Sequence, residues 1–347
     1  MSRYIRAIFA PRIGECWSNQ RLFEAIAARF EKLEAPDGEK AALLDFVRLL
    51  LIGSRNRYCL RDSVFLEDTF AQRAAEFESS IETATSALAS EIQTSNPEQH
   101  FDAVFGVSSE GQLLPGIAER AARKLGSQVS RSAVHLDIGN GGCTASTRAI
   151  QLVSQLDPAI RNALIVVIEP TTIMADPKSL SRSNWQGVCT FGDGCAAVWI
   201  SDEPGEGAVE LGRMASWRGE ATDLIRWDWG DVYYRFGIAD LEQFEVKVRR
   251  EVLEAMTGLT MEKDPDAGWA IHPAGIMLLL SLAKKLGLSR SKLEPSIEHF
   301  RECSNMSSVS VLHILKRVIN DAEPNQRVRW LAMGAGFHVA TGSAVRV

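Results

Sequence analysis

Cys143, His272 and Asn305 supply a thiol, an imidazole and a carboxamide, the side chains of nucleophilic chemistry with proton handling. Cys143 follows an apolar strand pattern and the turn Gly139-Asn140-Gly141-Gly142, at the start of a helical stretch. Free amides and the dipole at a helix N-terminus favour negative charge, so this placement predicts a lowered thiol pKa. The glycines let the chain turn sharply and leave access for a substrate. The competing reading is a small, buried, apolar cysteine. His272 follows Trp269-Ala270-Ile271 and precedes Pro273. That is a strand end, where a parallel sheet presents its ligands; the alternative is a core histidine satisfied by backbone. Asn305 stands between Ser304 and a helical run, which is also a helix-cap position. Gly334-Ala335-Gly336 lies between two strand patterns and can offer backbone N–H groups to an oxyanion, or form a plain turn.

Alternating strand and helix patterns position these residues. Strands are expected at Tyr4–Phe9, Asp102–Val107, Ala133–Ile138, Ala163–Ile168 and Cys195–Ile200, the last entered through Phe191-Gly192-Asp193-Gly194. Helices are expected at Asn19–Leu33, Phe70–Gln93, after Pro115, and at Thr144–Leu156, with a loop over 35–40. The second half repeats the style. Ala208–Arg213, Trp269–Ile271, Val328–Met333 and Val339–Val345 read as strands; Leu241–Met256, Ala274–Leu286 and Met306–Ile319 read as helices. The pattern predicts a layered α/β protein with two successive halves, 1–204 and 205–347, and a seam near Asp202–Gly207. The repetition is in element order, not in residues.

Composition narrows the function. The chain has 347 residues, 46% of them hydrophobic, enough for a large core. A net charge of -6 argues against a nucleic-acid partner, which needs a basic face. The cysteines at 16, 59, 143, 189, 195 and 303 form no CxxC pair, so neither a disulfide framework nor a metal site is expected. MSRYIRAIFAPRIGE lacks a signal peptide's apolar run. The apolar stretch Ile276–Leu282 is too short for a span and meets Lys284 and Lys285. A cytoplasmic protein without membrane contact is the expectation.

Five short motifs occur in a fixed order. The chain resembles the chalcone synthase-like (type III polyketide synthase) branch of the thiolase superfamily. WAIHP at 269–273 is similar to that family's WAVHP, and FGDG at 191–194 and NMSS at 305–308 reproduce its motifs. The 334–336 loop is similar to its GFGPG, and Glu169 matches a glutamate after a strand. The sister branch, β-ketoacyl carrier-protein synthase III, shares the layout. The resemblance implies a thiolase-like five-layered αβαβα fold and a homodimer. It implies a triad of Cys143 as nucleophile, His272 pairing with its thiolate, and Asn305. An oxyanion would be held by the backbone of Cys143 and the Gly336 region. The implied reaction is a decarboxylative Claisen condensation between an acyl group on Cys143 and a malonyl-type extender. It uses acyl-CoA, malonyl-CoA or carrier-protein thioesters as substrates, with no metal or other cofactor. The expected alternatives are an acyltransferase that passes the acyl group to an amine or alcohol, and a catalytically silent partner subunit.

Several positions depart from the family pattern. The aromatic gatekeeper falls on Ala175, and the Gly loop reads Ala332-Met333-Gly334-Ala335-Gly336 without the proline. Arg48 matches one CoA-contacting residue, and Arg55 and Arg57 read either as replacements for a missing basic position or as solvated charges. Ser109 aligns with a small hydroxyl residue of the initiation pocket, and Leu114 with a residue that reaches the partner subunit's cavity. Glu110, between them, reads as a base in the pocket or as a loop carboxylate in water.

Overall fold

The computed structural model describes residues 2–61, 65, 69–230, 232–259, 261 and 263–347. The first half contains β1 (Tyr4–Phe9), β2 (Glu15–Ser18), α1 (Asn19–Glu31), α2 (Asp37–Leu50), β3 (Asn56–Cys59), α3 (Phe70–Ser95), β4 (Phe101–Ser108), α4 (Ile117–Leu125), β5 (Val129–Gly139), α5 (Ala145–Val153), β6 (Asn162–Glu169), α6 (Arg182–Thr190) and β7 (Gly194–Ser201). The second contains β8 (Val209–Arg218), β9 (Ile225–Trp229), β10 (Tyr234–Ile238), α7 (Phe244–Gly258), β11 (Gly268–Ile271), α8 (Ile276–Leu286), α9 (Arg290–Cys303), α10 (Ser308–Asn320), β12 (Arg327–Gly334) and β13 (His338–Arg346). Local chemistry sets several boundaries. Thr69 and Gln72 form a reciprocal capping box that starts α3. Gly287, left-handed at φ 69°, ends α8.

Nine strands are joined in the order β11-β12-β13-β8-β1-β7-β6-β4-β5. Within the sheet, the strands of the two halves are joined where Tyr4 and Ile5 of β1 pair with Glu210 and Val209 of β8. β4, β5 and β6 run parallel, as do β11 and β12. Strands covered on both faces become continuous apolar runs, and Ala163–Ile168 of β6 is buried throughout.

Three cores define the layers. In the central one, Ala149 and Ile150 of α5 and Val309 and Leu312 of α10 pack against Phe105, Ile165 and Val198 on one side and Ala270, Val328 and Trp330 on the other. A second packs Ile81 and Leu88 of α3 and Ala118 of α4 on the opposite face of the first half, against Val104, Leu164 and Ala197. The third packs Val252 of α7, Leu282 of α8 and Ile297 of α9 against Trp269, Ile271 and Leu331. The resulting order is helix, sheet, helix, sheet, helix.

The sequence pattern overlooks α2, α6, α9 and the β9–β10 hairpin. Residues 37–40, expected in a loop, open α2, with Asp37 and Glu39 in its first turn. Acidic residues just after a proline start a helix, because they complement its N-terminal dipole.

Candidate active site

Cys143 lies in a short 3-10 turn, Gly142–Thr144, between the end of β5 and α5. Gly142 has φ +53°, and a Cβ there would stand 3.2 Å from the Ala335 nitrogen. Its own N–H donates to Ser109 Oγ at 3.0 Å. The side chains of Ser307 and Asn305 neighbour the thiol and favour its ionised form. Burial nevertheless pushes its pKa up to about 12, with the Glu169 carboxylate adding to the rise. Burial thus works against the lowered pKa expected from the helix start.

His272 follows β11, anchored by its N–H to Leu331 O at 2.8 Å. Its side chain is buried, and neither ring nitrogen has a hydrogen-bond partner. Burial holds its pKa down to about 3, so the ring is neutral at pH 7. The expected pairing of His272 with a Cys143 thiolate is not formed in the free chain. A buried imidazolium would need a partner charge, and neither ring nitrogen has a partner.

Asn305 is held by interlocking loops. Its N–H donates to Thr190 O at 3.0 Å, and its carbonyl accepts from Gly192 N at 3.0 Å. Its Oδ1 accepts from Ser307 N at 2.9 Å, which leaves the amide nitrogen toward the thiol. Asn305 therefore closes an Asx turn and does not cap α10, whose cap is Ser307. FGDG supports NMSS from behind. A Cβ at Gly194 would stand 2.7 Å from Met306 Sδ. Asp193 accepts from Leu60 N, Thr172 N and Thr172 Oγ1 at 2.7–2.8 Å.

Cys143, His272 and Asn305 line one cavity of about 790 Å³. Its walls are largely apolar. Phe191, Trp227 and Phe236 form a cluster with ring centroids 5.4–6.1 Å apart. Ile276 and Met277 of α8, and Leu49 and Ile52 at the end of α2, line it as well. Sequence reasoning missed Trp227 and Phe236, which sit on the overlooked hairpin; the alternation over 225–229 and 234–238 was the available signal.

Gly334, not Gly336, meets Cys143. A Cβ at Gly334 would stand 2.7 Å from the Cys143 nitrogen, whereas Gly336 turns toward His338. Ser109 is buried behind the turn and does not line the cavity. Glu110 is wholly buried, which overturns the reading of a carboxylate in water, and it does not line the cavity either. Ala175 faces a small void on the other side of Phe191 and Phe236. Leu114 is 98% exposed and cannot line this chain's own cavity.

Arg57 is buried, donating to the carbonyls of Val188, Phe191 and Cys189 and to Asn19 Oδ1. It is a structural clamp, not a CoA contact. Arg48 is exposed, pairs with Asp45 at 2.8 Å, and with Arg55 lies outside the cavity wall. The guanidinium groups at the cavity are those of Arg249 and Arg301. Among the described residues no cluster of metal-ligating side chains occurs.

Residues 238–345 match the family of chalcone and stilbene synthases, C-terminal domain. The C-terminal part of the chain is thus similar to the chalcone and stilbene synthases. A putative chalcone synthase of Bacillus subtilis (strain 168) is 25% identical over 262 residues, 71% of each chain. The 3,5-dihydroxyphenylacetyl-CoA synthase of Streptomyces toyocaensis is 27% identical over 249 residues, 68% of this chain and 63% of that one. The crystal structure of 1,3,6,8-tetrahydroxynaphthalene synthase from Streptomyces coelicolor A3(2) superposes with a TM-score of 0.85 at 19% identity, covering 99% of each chain. The chain therefore has the thiolase-like fold of these structures.

Proposed function

We propose that this chain is an acyl-thioester condensing enzyme of the type III polyketide synthase kind. One observation carries the reading: Cys143 and the two neutral polar side chains His272 and Asn305 share a single apolar cavity. Cys143, once deprotonated, attacks an acyl thioester; the C–S bond to the donor breaks, and its electron pair leaves on the donor thiolate. The tetrahedral oxyanion lies where the Cys143 N–H and the Gly334–Ala335 backbone converge. A malonyl-type extender then loses carbon dioxide. The enolate oxygen accepts hydrogen bonds from the Asn305 amide and the N–H of neutral His272, and its carbon attacks the acyl group on Cys143. The thiolate is expelled, and the chain is two carbons longer.

Acyl-CoA with malonyl-CoA, or the corresponding carrier-protein thioesters, are the proposed substrates. The enzyme acts in a reducing cytoplasm, consistent with six free cysteines. Among the described residues no helix is long and apolar enough to cross a membrane. The halves 1–204 and 205–347 supply the nucleophile and the two hydrogen-bond donors respectively. We assign a homodimer built along β5. This strand is the sheet's edge, with Val134 and Leu136 about half exposed and Leu114 projecting nearby.

The test is incubation with a panel of acyl-CoA and acyl-carrier donors plus malonyl-CoA, followed by intact-protein and product mass measurement. An acyl adduct on Cys143 and a product enlarged by two-carbon units support condensation. An adduct with unextended amide or ester products would replace this reading with the acyltransferase one.

A further inference from the structure

Asn305 stands in a turn whose backbone its neighbours do not favour. Ser304 before it has φ +60° and Ser307 after it has φ +50°, a region in which side chains other than glycine are strained. Such a turn persists only where its surroundings hold it. The peptide unit that joins Asn305 to Met306 is held at both ends. Its oxygen, Asn305 O, accepts from Gly192 N at 3.0 Å. Its nitrogen, Met306 N, donates to Ser310 Oγ at 2.8 Å. A tilt of this plane turns the Cα–Cβ bond of Asn305, and with it the carboxamide.

Ser310 is wholly buried in the first turn of α10. Its hydroxyl oxygen accepts from Met306 and has one proton of its own to donate. The partner is Nε2 of His299 on α9, at 3.1 Å. Accepting that proton requires a neutral imidazole. Burial, with His313, His272 and Arg12 adding to it, pushes His299 well below the usual histidine range. The chain of donors therefore runs from Met306 N–H through the Ser310 hydroxyl to His299 Nε2. His313 braces this arrangement. Its Nε2 donates to Cys195 O at 2.9 Å, one residue beyond the Gly194 that packs on Met306. Its ring meets that of His299 edge-on, with centroids 5.6 Å apart. Neither Ser310 nor His299 lines the cavity that holds Cys143. The two histidines open instead onto a separate depression of about 340 Å³ between α9, α10 and the loop after β1.

We propose that Ser310 and His299 are positioning residues for the Asn305 carboxamide. They pin the peptide plane from which that side chain hangs, and they do so without touching substrate. The proposal rests on the reading that Asn305 serves the enolate. Loss of Ser310 leaves Met306 N–H buried without an acceptor, and loss of His299 does the same to the Ser310 hydroxyl proton. The plane is then free to turn and relieve the strain at Ser307.

Ser310→Ala and His299→Leu each remove one link, whereas His299→Gln keeps an acceptor near the place of Nε2. Malonyl decarboxylation is read by carbon dioxide release, and acyl loading of Cys143 by intact mass. Ser310→Ala and His299→Leu are expected to lower kcat for decarboxylation by roughly 5- to 10-fold, with KM and the loading rate within about 2-fold of the parent. His299→Gln is expected to restore kcat. The decisive comparison is made in Asn305→Ala protein, where adding Ser310→Ala should change the residual rate by less than about 2-fold, because both substitutions act through one group. A further loss there as large as in the parent would overturn the proposal, as would equal slowing of loading and decarboxylation.

Hydrogen exchange over residues 304–310, read by mass, is independent of activity. Ser310→Ala and His299→Leu should speed exchange of one amide, that of Met306, by roughly 5- to 10-fold, and His299→Gln should not. A parent that releases no carbon dioxide sinks the condensing assignment, and the exchange result still decides the latch. Unchanged exchange in both Ser310→Ala and His299→Leu overturns it.

Discussion

Gly334→Ala probes the close approach between the end of β12 and the nucleophile. Gly334 is fully extended, at φ -165° and ψ -172°, so alanine meets no backbone strain there. The new Cβ would stand 2.7 Å from the Cys143 nitrogen and 3.2 Å from its Cα and Cβ. Ordinary contact begins at 3.4 Å, so the two backbones must separate by about 0.7 Å. Neither can yield as a flexible side chain would, because Gly334 closes a ladder with β13 and Cys143 is tied into α5. A misplacement of ~1 Å costs on the order of 100-fold in rate. We therefore expect acyl loading of Cys143 to slow by roughly 10- to 100-fold, with a stability loss of about 1–3 kcal/mol. Rapid-quench intact mass measurement gives the loading rate, and a denaturant titration gives the stability. Gly336→Ala serves for comparison: at φ +70° it costs about 1–2 kcal/mol of backbone strain. Because Gly336 lies off the nucleophile, that variant should slow loading less than Gly334→Ala. A folded Gly334→Ala protein that loads at the parent rate would refute the placement of this loop against the sulfur.

Asn305→Ala is expected to retain acyl loading while malonyl decarboxylation falls by roughly 100- to 1,000-fold, measured by carbon dioxide release. Equal loss of both would contradict a role confined to the enolate. The His272 pKa falls from 6.5 to about 3 on folding. The unfolded chain binds that proton below pH 6.5 and the folded chain does not until about pH 3, so stability declines as pH drops through this window. His272→Gln should flatten that decline in urea midpoints measured from pH 7 to 4, though His313, held down to about 4, preserves part of it. Arg57→Met orphans three carbonyls and should lower stability by roughly 2–4 kcal/mol with little effect on the donor's KM. A rise in KM without destabilisation would return Arg57 to the CoA site. Leu114→Asp should shift sedimentation from dimer to monomer; an unchanged species would exclude the β5 edge as the interface.

The order of strands and helices was legible because continuous apolar runs and helical periodicity are local properties. So were Cys143, His272 and Asn305, each marked by an unusual neighbour: a glycine turn, a following proline, a serine-flanked asparagine. The β9–β10 hairpin escaped because its rings, paired across its own strands as Trp227 with Phe236 and Trp229 with Tyr234, also cover Phe191 and a cavity built from residues far away in sequence. The basic residues at 48, 55 and 57 misled for a related reason. A guanidinium looks the same in sequence whether solvated, ion-paired like Arg48, or inserted among carbonyls like Arg57.

By itself the sequence determined the α/β class, the motif order and the thiol, imidazole and carboxamide that share one cavity, because strand burial, turn chemistry and side-chain type depend on neighbours within a few residues. Tertiary structure alone decided their ionisation. Desolvation holds the thiol up and the imidazole down, and it raises the buried Glu110 carboxyl. Those effects scale with the exclusion of water and with distances between residues far apart along the chain, as between Glu110, Glu169 and Ser307, and such distances exist only once the layers have closed.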